Sequence, residues 1–120
     1  MNAQRVHLQI DLAVRDGKFA EFEQTVAAMA AGTAKEPGAL GYEFYLSDDR
    51  RSARLLETYA DAAALQAHFA GPVVRELVPK LLASASVERF EVYGRPSAET
   101  AATLAAFGAR IYPHWRGLPQ

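Results

Sequence analysis

Residues 54–72, RLLETYADAAALQAHFAGP, carry the reading on which the fold turns. Leu55, Leu56, Thr58 and Tyr59 favour an extended strand, because bulky, β-branched and aromatic side chains suit a pleated sheet. Asp61 then offers a carboxylate to the free N–H groups of a first helical turn, and Ala62, Ala63, Ala64 and Leu65 are strong helix formers. Gly71-Pro72 predicts the stop, since glycine accepts a left-handed cap and proline supplies no N–H. Leu65, His68 and Phe69 stand at i, i+3 and i+4 and share one helix face. An imidazole is thus held among apolar neighbours on a helix that directly follows a strand. It is the best candidate for chemistry in the chain.

Upstream, Leu40, Tyr42, Phe44 and Leu46 alternate with Gly41, Glu43 and Tyr45, a strand joined to the next by the polar hairpin Ser47–Ser52. Glu36-Pro37-Gly38 ends the helix before it, because a residue preceding proline is pushed out of the helical region. That helix is predicted over Lys18 to Ala34, with Phe19, Phe22, Val26 and Met29 recurring at three- and four-residue steps. Asp16-Gly17 turns the chain into it from a first strand, where Val6, Leu8, Ile10 and Leu12 alternate with Arg5, His7, Gln9 and Asp11. Downstream, Val74, Leu77, Val78 and Leu81 form a second helical stripe, in which Pro79 predicts a kink or an early end. Ser86 to Tyr93 reads as a fourth strand, with Phe90 and Val92 on one face and Arg89, Glu91 and Tyr93 on the other. One apolar sheet face and two helices to cover it make an α+β, ferredoxin-like βαββαβ sandwich with right-handed crossovers.

Size and composition narrow the function. At 120 residues the chain is most simply one domain, and half its residues are hydrophobic. A net charge of −1, from 13 basic and 14 acidic residues, creates no field to steer nucleic acid or an anionic membrane. With no cysteine there is no disulfide, thiolate nucleophile or zinc–thiolate site. No run approaches the roughly 20 apolar residues of a membrane span, and the N-terminus lacks a signal-peptide pattern. The expectation is a cytoplasmic protein with neither nucleic-acid nor membrane partners.

The second sheet face is predicted to carry Arg5, His7, Gln9, Asp11, Glu43, Tyr45, Arg89, Glu91 and Tyr93. Such a face either stands in water or packs on its two-fold copy, and mixed charges with interspersed tyrosines favour the copy.

Glu36-Pro37-Gly38, the Tyr42-x-Phe44 strand, and Glu57-Thr58-Tyr59-Ala60-Asp61 running into Ala64-Leu65-x-x-His68 resemble the antibiotic biosynthesis monooxygenase family. That family of dimeric α+β barrels includes quinol monooxygenases and an autoinducer-2 phosphate isomerase. The resemblance runs from about Val6 to Tyr93. It implies a homodimer closed through the open sheet faces, with a pocket in each protomer between sheet and helices. It also implies oxygenation without metal, flavin or other cofactor, on a small aromatic or quinol-like substrate and dioxygen. In haem-degrading relatives three positions carry asparagine, tryptophan and histidine. Here they align with Ile10, His68 and about Val78, so the resemblance does not extend to haem degradation.

Without a cofactor, the substrate must itself reduce dioxygen, and a phenol does so far better once deprotonated. The protein then needs a base in a dry aromatic pocket. His68 is the candidate catalytic base, with the alternative that it is a core histidine satisfied by one hydrogen bond. Tyr42, Phe44, Leu65 and Phe69 are expected to shape the substrate pocket, and Tyr59 and Glu57 are further candidates. Glu57 reads either as a partner of His68 or, by preference, as an ion pair with an arginine near the dimer interface. His7, His68 and His114 show no metal-ligand spacing.

Residues 1–95 are thus expected to form the family domain and 96–120 an extension. Ser97 caps a helix through Leu104 and Phe107, which Gly108 ends. The aromatic, cationic run 110–116 reads as a clip on a sheet edge or partner, with the alternative that Tyr112 or Trp115 roofs the pocket. Three functions stay open: a cofactor-independent monooxygenase, a small-molecule isomerase or binding protein, and a non-catalytic stress-response dimer.

Overall fold

The computed structural model describes residues 4–119. The chain runs β1 (Val6–Val14), α1 (Phe19–Thr33), β2 (Ala39–Leu46), β3 (Ser52–Tyr59) and α2 (Ala62–Ala70). A π-helical turn (Val73–Leu77) leads into α3 (Val78–Ser84), followed by β4 (Ala85–Tyr93), α4 (Ala98–Ala106) and β5 (Arg110–Tyr112). The sheet order is β2-β3-β1-β4-β5. The first four strands are antiparallel neighbours, whereas β5 runs parallel to β4. In each βαβ unit the two strands flank a third, which is the split arrangement of the ferredoxin-like fold.

Local signals act largely as expected. The Asp61 carboxylate accepts the Ala64 N–H at 2.9 Å, and Ser97 Oγ accepts that of Thr100 at 3.2 Å. Gly17 and Gly108 take left-handed φ values of +73° and +85°, where a side chain would be strained. Two expectations need correction. Gly71 ends α2 in an extended conformation, φ −91°, rather than a left-handed one. Pro79 does not end its helix. It sits in the first turn of α3, where its missing N–H is not needed, and the irregularity moves upstream into the π-helical turn.

On the inner face, Leu8, Ile10 and Leu12 of β1 stand opposite Glu57, Leu55 and Ala53 of β3, and Phe90 and Val92 of β4 flank them. The helices cover this face with two buried clusters. One gathers Val6, Leu8, Tyr59, Leu65, Phe90, Val92 and Leu104; the other gathers Leu12, Phe22, Met29, Ala53, Val73, Leu81 and Ala85. Ile10 packs against both and marks their seam. A bulge opposite Asp11 and Leu12 breaks the alternation of β4, so Val87 rather than Glu88 pairs with Leu12 and reaches the inner side.

The outer face carries the polar set anticipated from the alternation, with Arg5 just ahead of β1. Arg54 Nε lies 3.1 Å from Asp11 Oδ1, and Arg89 Nε lies 3.0 Å from Glu91 Oε2. The Tyr93 hydroxyl donates to Glu91, and its ring stacks on Tyr112 at 5.8 Å. Leu56 and Tyr45 remain open to solvent on this face. At its edge β5 covers β4. Trp115 stands in solvent, with the Arg116 guanidinium 5.2 Å from its ring centroid. Among the described residues no helix is long and apolar enough to cross a membrane.

Candidate functional site

At the seam of the two clusters lies a cavity of about 60 Å³. Its floor is Ile10, Leu55 and Phe90 of the sheet, its walls are Met29, Val74, Val78 and Leu81, and its mouth is Leu82, Val87 and Phe107. Those last three are partly exposed apolar side chains. Against these oily surfaces the cavity meets three groups capable of proton chemistry: Tyr42, Glu57 and His68.

His68 occupies the last turn of α2 and is 2% exposed. Its Nδ1 lies 2.8 and 3.1 Å from the two carboxylate oxygens of Glu36. An ionised carboxylate only accepts, so the proton sits on Nδ1 and the Nε2 lone pair is left toward the cavity. Nε2 is 3.8 Å from Glu57 Oε1, too long for a direct hydrogen bond and suited to an intervening oxygen. The Tyr59 hydroxyl donates to Glu57 Oε1 at 2.6 Å. Around the imidazole, the rings of Tyr59, Phe69 and Tyr42 have centroids at 5.2, 5.5 and 5.9 Å.

Burial sets the protonation states. It lowers the His68 pKa below the ordinary imidazole value, with Glu36 partly offsetting it, so the ring is neutral near pH 7. Burial lifts the Glu57 carboxyl to about 7, although the Tyr59 hydrogen bond pulls the other way. Both phenols are driven far above the ordinary tyrosine value, first by burial and then by Glu57, so neither serves as a base. The Thr33 hydroxyl, within reach of Tyr42, makes no hydrogen bond of standard geometry.

The loop at Glu36 is held by close packing. A Cβ on Gly38 would come within 2.3 Å of Ala64 Cβ on α2, one turn before His68, and the Gly38 carbonyl accepts the Ala60 N–H at 2.9 Å. Only glycine lets the loop approach closely enough for the carboxylate to meet the imidazole.

Of the residues anticipated from sequence, His68, Tyr42, Phe69 and Glu57 line the cavity together. Tyr59 stands behind Glu57. Phe44 packs edge-on against Tyr42 at 5.5 Å, and Leu65 lies fully buried in the core, so neither forms part of the wall. The preferred ion pair of Glu57 with an arginine does not exist among the described residues. Glu57 faces inward with Leu55 and Tyr59, and only alternate positions such as Arg54 reach the outer face. Tyr112 and Trp115 are not at the cavity; Phe107, from the same C-terminal stretch, is. Ile10 and Val78, the other positions compared with haem-degrading relatives, also line it.

Glu36 is the main residue missed, because Glu-Pro-Gly reads as a helix breaker. Its signal lies in the dipole: an acid beside a helix C-terminus is unfavourable there and invites a functional reason. The sequence places Phe107 only on a helix stripe, and its position at the cavity depends on where α4 docks.

Fold and cavity define a class: a ferredoxin-like α+β protein with an imidazole–carboxylate pair at an apolar cavity beneath its helices. The sequence pattern of the antibiotic biosynthesis monooxygenase family matches residues 5–80, and the chain belongs to that family. No curated protein sequence matches significantly. Among solved structures, MupZ from Pseudomonas fluorescens superposes with a TM-score of 0.82 at 22% identity, covering 98% of this chain and 95% of that one. SnoaB from Streptomyces nogalater, described as a cofactor-independent oxygenase, gives 0.68 at 24% identity over 80% of this chain and 97% of its own. Rv0793 from Mycobacterium tuberculosis gives 0.66 at 21% identity, over 78% and 96%. At these identities the likeness is one of fold.

Proposed function

We propose that this protein is a cofactor-independent monooxygenase of phenolic or quinol-type rings, with His68 as the base. The observation that carries the reading is a buried imidazole at the cavity whose Nδ1 is bonded to Glu36 while Nε2 lies 3.8 Å from Glu57 Oε1. The substrate hydroxyl gives its proton to Nε2, and the resulting oxyanion makes the ring a strong electron donor. One atom of dioxygen then becomes a carbonyl oxygen on a ring carbon in place of its C–H, which leaves a quinone, and the other departs as water with the protons of the C–H and O–H bonds. The ring supplies the four electrons. Glu57, whose burial keeps its protonated form populated up to about pH 7, donates a hydrogen bond from that form to the reduced oxygen as charge builds on it. Tyr42 and Phe69 flank the ring, Tyr59 orients Glu57, and Phe44 and Leu65 support them from behind. SnoaB, an oxygenase on this fold, favours the same chemistry.

The cavity is smaller than the roughly 150 Å³ that accommodates benzene in an engineered protein core. Ring entry therefore moves Leu82, Val87 or Phe107 at the mouth. In this reading the protein works in the cytoplasm as a homodimer through the outer sheet face, residues 1–95 form the family unit, and 96–120 extend it. Oxygen-electrode assays with a panel of phenols and hydroquinones test the reaction. One dioxygen consumed per ring, lost in His68→Ala, is expected. No uptake across the panel, or uptake unchanged in the variant, overturns it.

A second reading, isomerisation of a smaller molecule, draws on the small cavity and on an acid and a base 3.8 Å apart. Turnover under nitrogen would select it.

A further inference from the structure

Glu36 belongs to two environments. One carboxylate oxygen is 2.8 Å from His68 Nδ1, yet the side chain keeps 23% of its surface exposed. It lines a solvent-open groove between the end of α1 and the π-helical turn, together with Lys35, Pro72 and Glu76. That groove and the cavity share no lining residue, because the segment 72–82 turns one side to each. Leu82, Val87 and Phe107 form the exposed rim of the cavity, whereas Nδ1 faces Glu36, on the groove side.

We propose that Glu36 and His68 form a proton outlet separate from the substrate mouth. The inference rests on His68 acting as the base and adds the route by which its proton leaves. When Nε2 gains the proton of the substrate O–H bond, the Nδ1–H bond breaks and its proton passes to a Glu36 oxygen, then to water in the groove. The imidazole ends neutral with its proton on Nε2, Glu36 returns to carboxylate, and the substrate is left as the oxyanion. The reverse transfer returns a proton from Glu36 to Nδ1 while Nε2 gives one to the oxygen departing as water, which resets the tautomer. The reacting oxygens thus stay in the apolar cavity while protons exchange with bulk through the groove.

Glu36 does not touch the substrate, so its test needs a readout that mere positioning would leave unmoved. Glu36→Gln keeps an acceptor for Nδ1–H but cannot carry a proton. The expected result is a fall in kcat of tenfold or more, restored in proportion to added imidazole or formate buffer, with wild type indifferent to buffer. A kcat that falls without buffer response, or does not fall, overturns the outlet while His68→Ala still reports separately on the base. A substrate-free measurement covers the case of no turnover. In ¹⁵N-histidine-labelled protein the His68 Nδ1 proton should exchange with water at least tenfold more slowly in Glu36→Gln than in wild type. Equal or faster exchange refutes the route. Should the Gln variant fail to fold, Glu36→Asp, one methylene shorter, should show the same two effects in weaker form; wild-type exchange and buffer-independent wild-type kcat there would overturn the proposal.

Discussion

Replacing Glu57 by glutamine should make the protein more stable in alkaline solution and little changed in acid. Glu57 is 3% exposed and its carboxyl rises from 4.5 to about 7 in the folded chain. A folded pKa above the unfolded one means that the protonated group fits the fold better than the ionised one. Its contribution is fully present below about pH 4.5 and is lost as pH climbs through about 7. At about 1.4 kcal/mol per pKa unit, the loss comes to about 3 kcal/mol. Glutamine keeps an oxygen to accept the Tyr59 hydroxyl but carries no charge, so the loss disappears. Urea unfolding followed by far-UV circular dichroism, at fixed protein concentration, measures the difference at pH 4.5 and pH 8.5. With a slope of about 1–3 kcal/mol per molar urea, the variant's midpoint should gain roughly 1–3 M on wild type between the two pH values. His68 works in the opposite sense: its lowered pKa costs stability as pH falls below the ordinary imidazole range, in both proteins, and largely cancels. Parallel curves would refute the reasoning. A variant less stable at pH 8.5 would mean that Glu57 is ionised and paired with an imidazolium, and the acid–base assignment would reverse.

Other outcomes follow from the same geometry. The pH profile of kcat/KM for oxygen uptake should fall on the acid side as His68 protonates, below its ordinary range, and on the alkaline side near pH 7 as Glu57 ionises. Glu57→Gln should remove the alkaline limb alone. Gly38→Ala, whose Cβ meets Ala64 at 2.3 Å, should cost about 1–3 kcal/mol and weaken the Glu36–His68 bond, seen as a shifted His68 titration by NMR. Leu104→Ala should cost about 2–5 kcal/mol in chemical denaturation, because this α4 residue is fully buried in one cluster with Val6, Leu8 and Val92. Leu56→Asp, on the outer sheet face, should yield monomers in sedimentation analysis, where the wild type is expected to sediment as a dimer.

The architecture was legible because its determinants are local and periodic. Alternation in Val6–Leu12 and Tyr42–Leu46, caps at Asp61 and Ser97, and breakers at Glu36-Pro37-Gly38 each act within a few residues. Their order admits few topologies, and the family motif falls on the same positions. His68 stood out for the same reason, as a polar group on an apolar helix stripe.

The site's second half depends on contacts between residues far apart in the chain. Glu36 and His68 are 32 positions apart and meet only because Gly38 lets a loop press onto α2. Glu57 could be assigned to the inner or outer face only once the register with β1 fixed its pleat, and burial then raised its pKa. Val87 reached the cavity through a bulge, and Phe107 through the docking of α4. Sequence by itself determined the four strands and two helices of the βαββαβ order, the helix after Ser97 and which helix bears the imidazole, since those follow from short-range propensity and period, whereas β5 and the π-helical turn did not show in it. Tertiary structure decided which acids face it, which protons it holds and which apolar side chains surround it, since these depend on distance and desolvation across the fold.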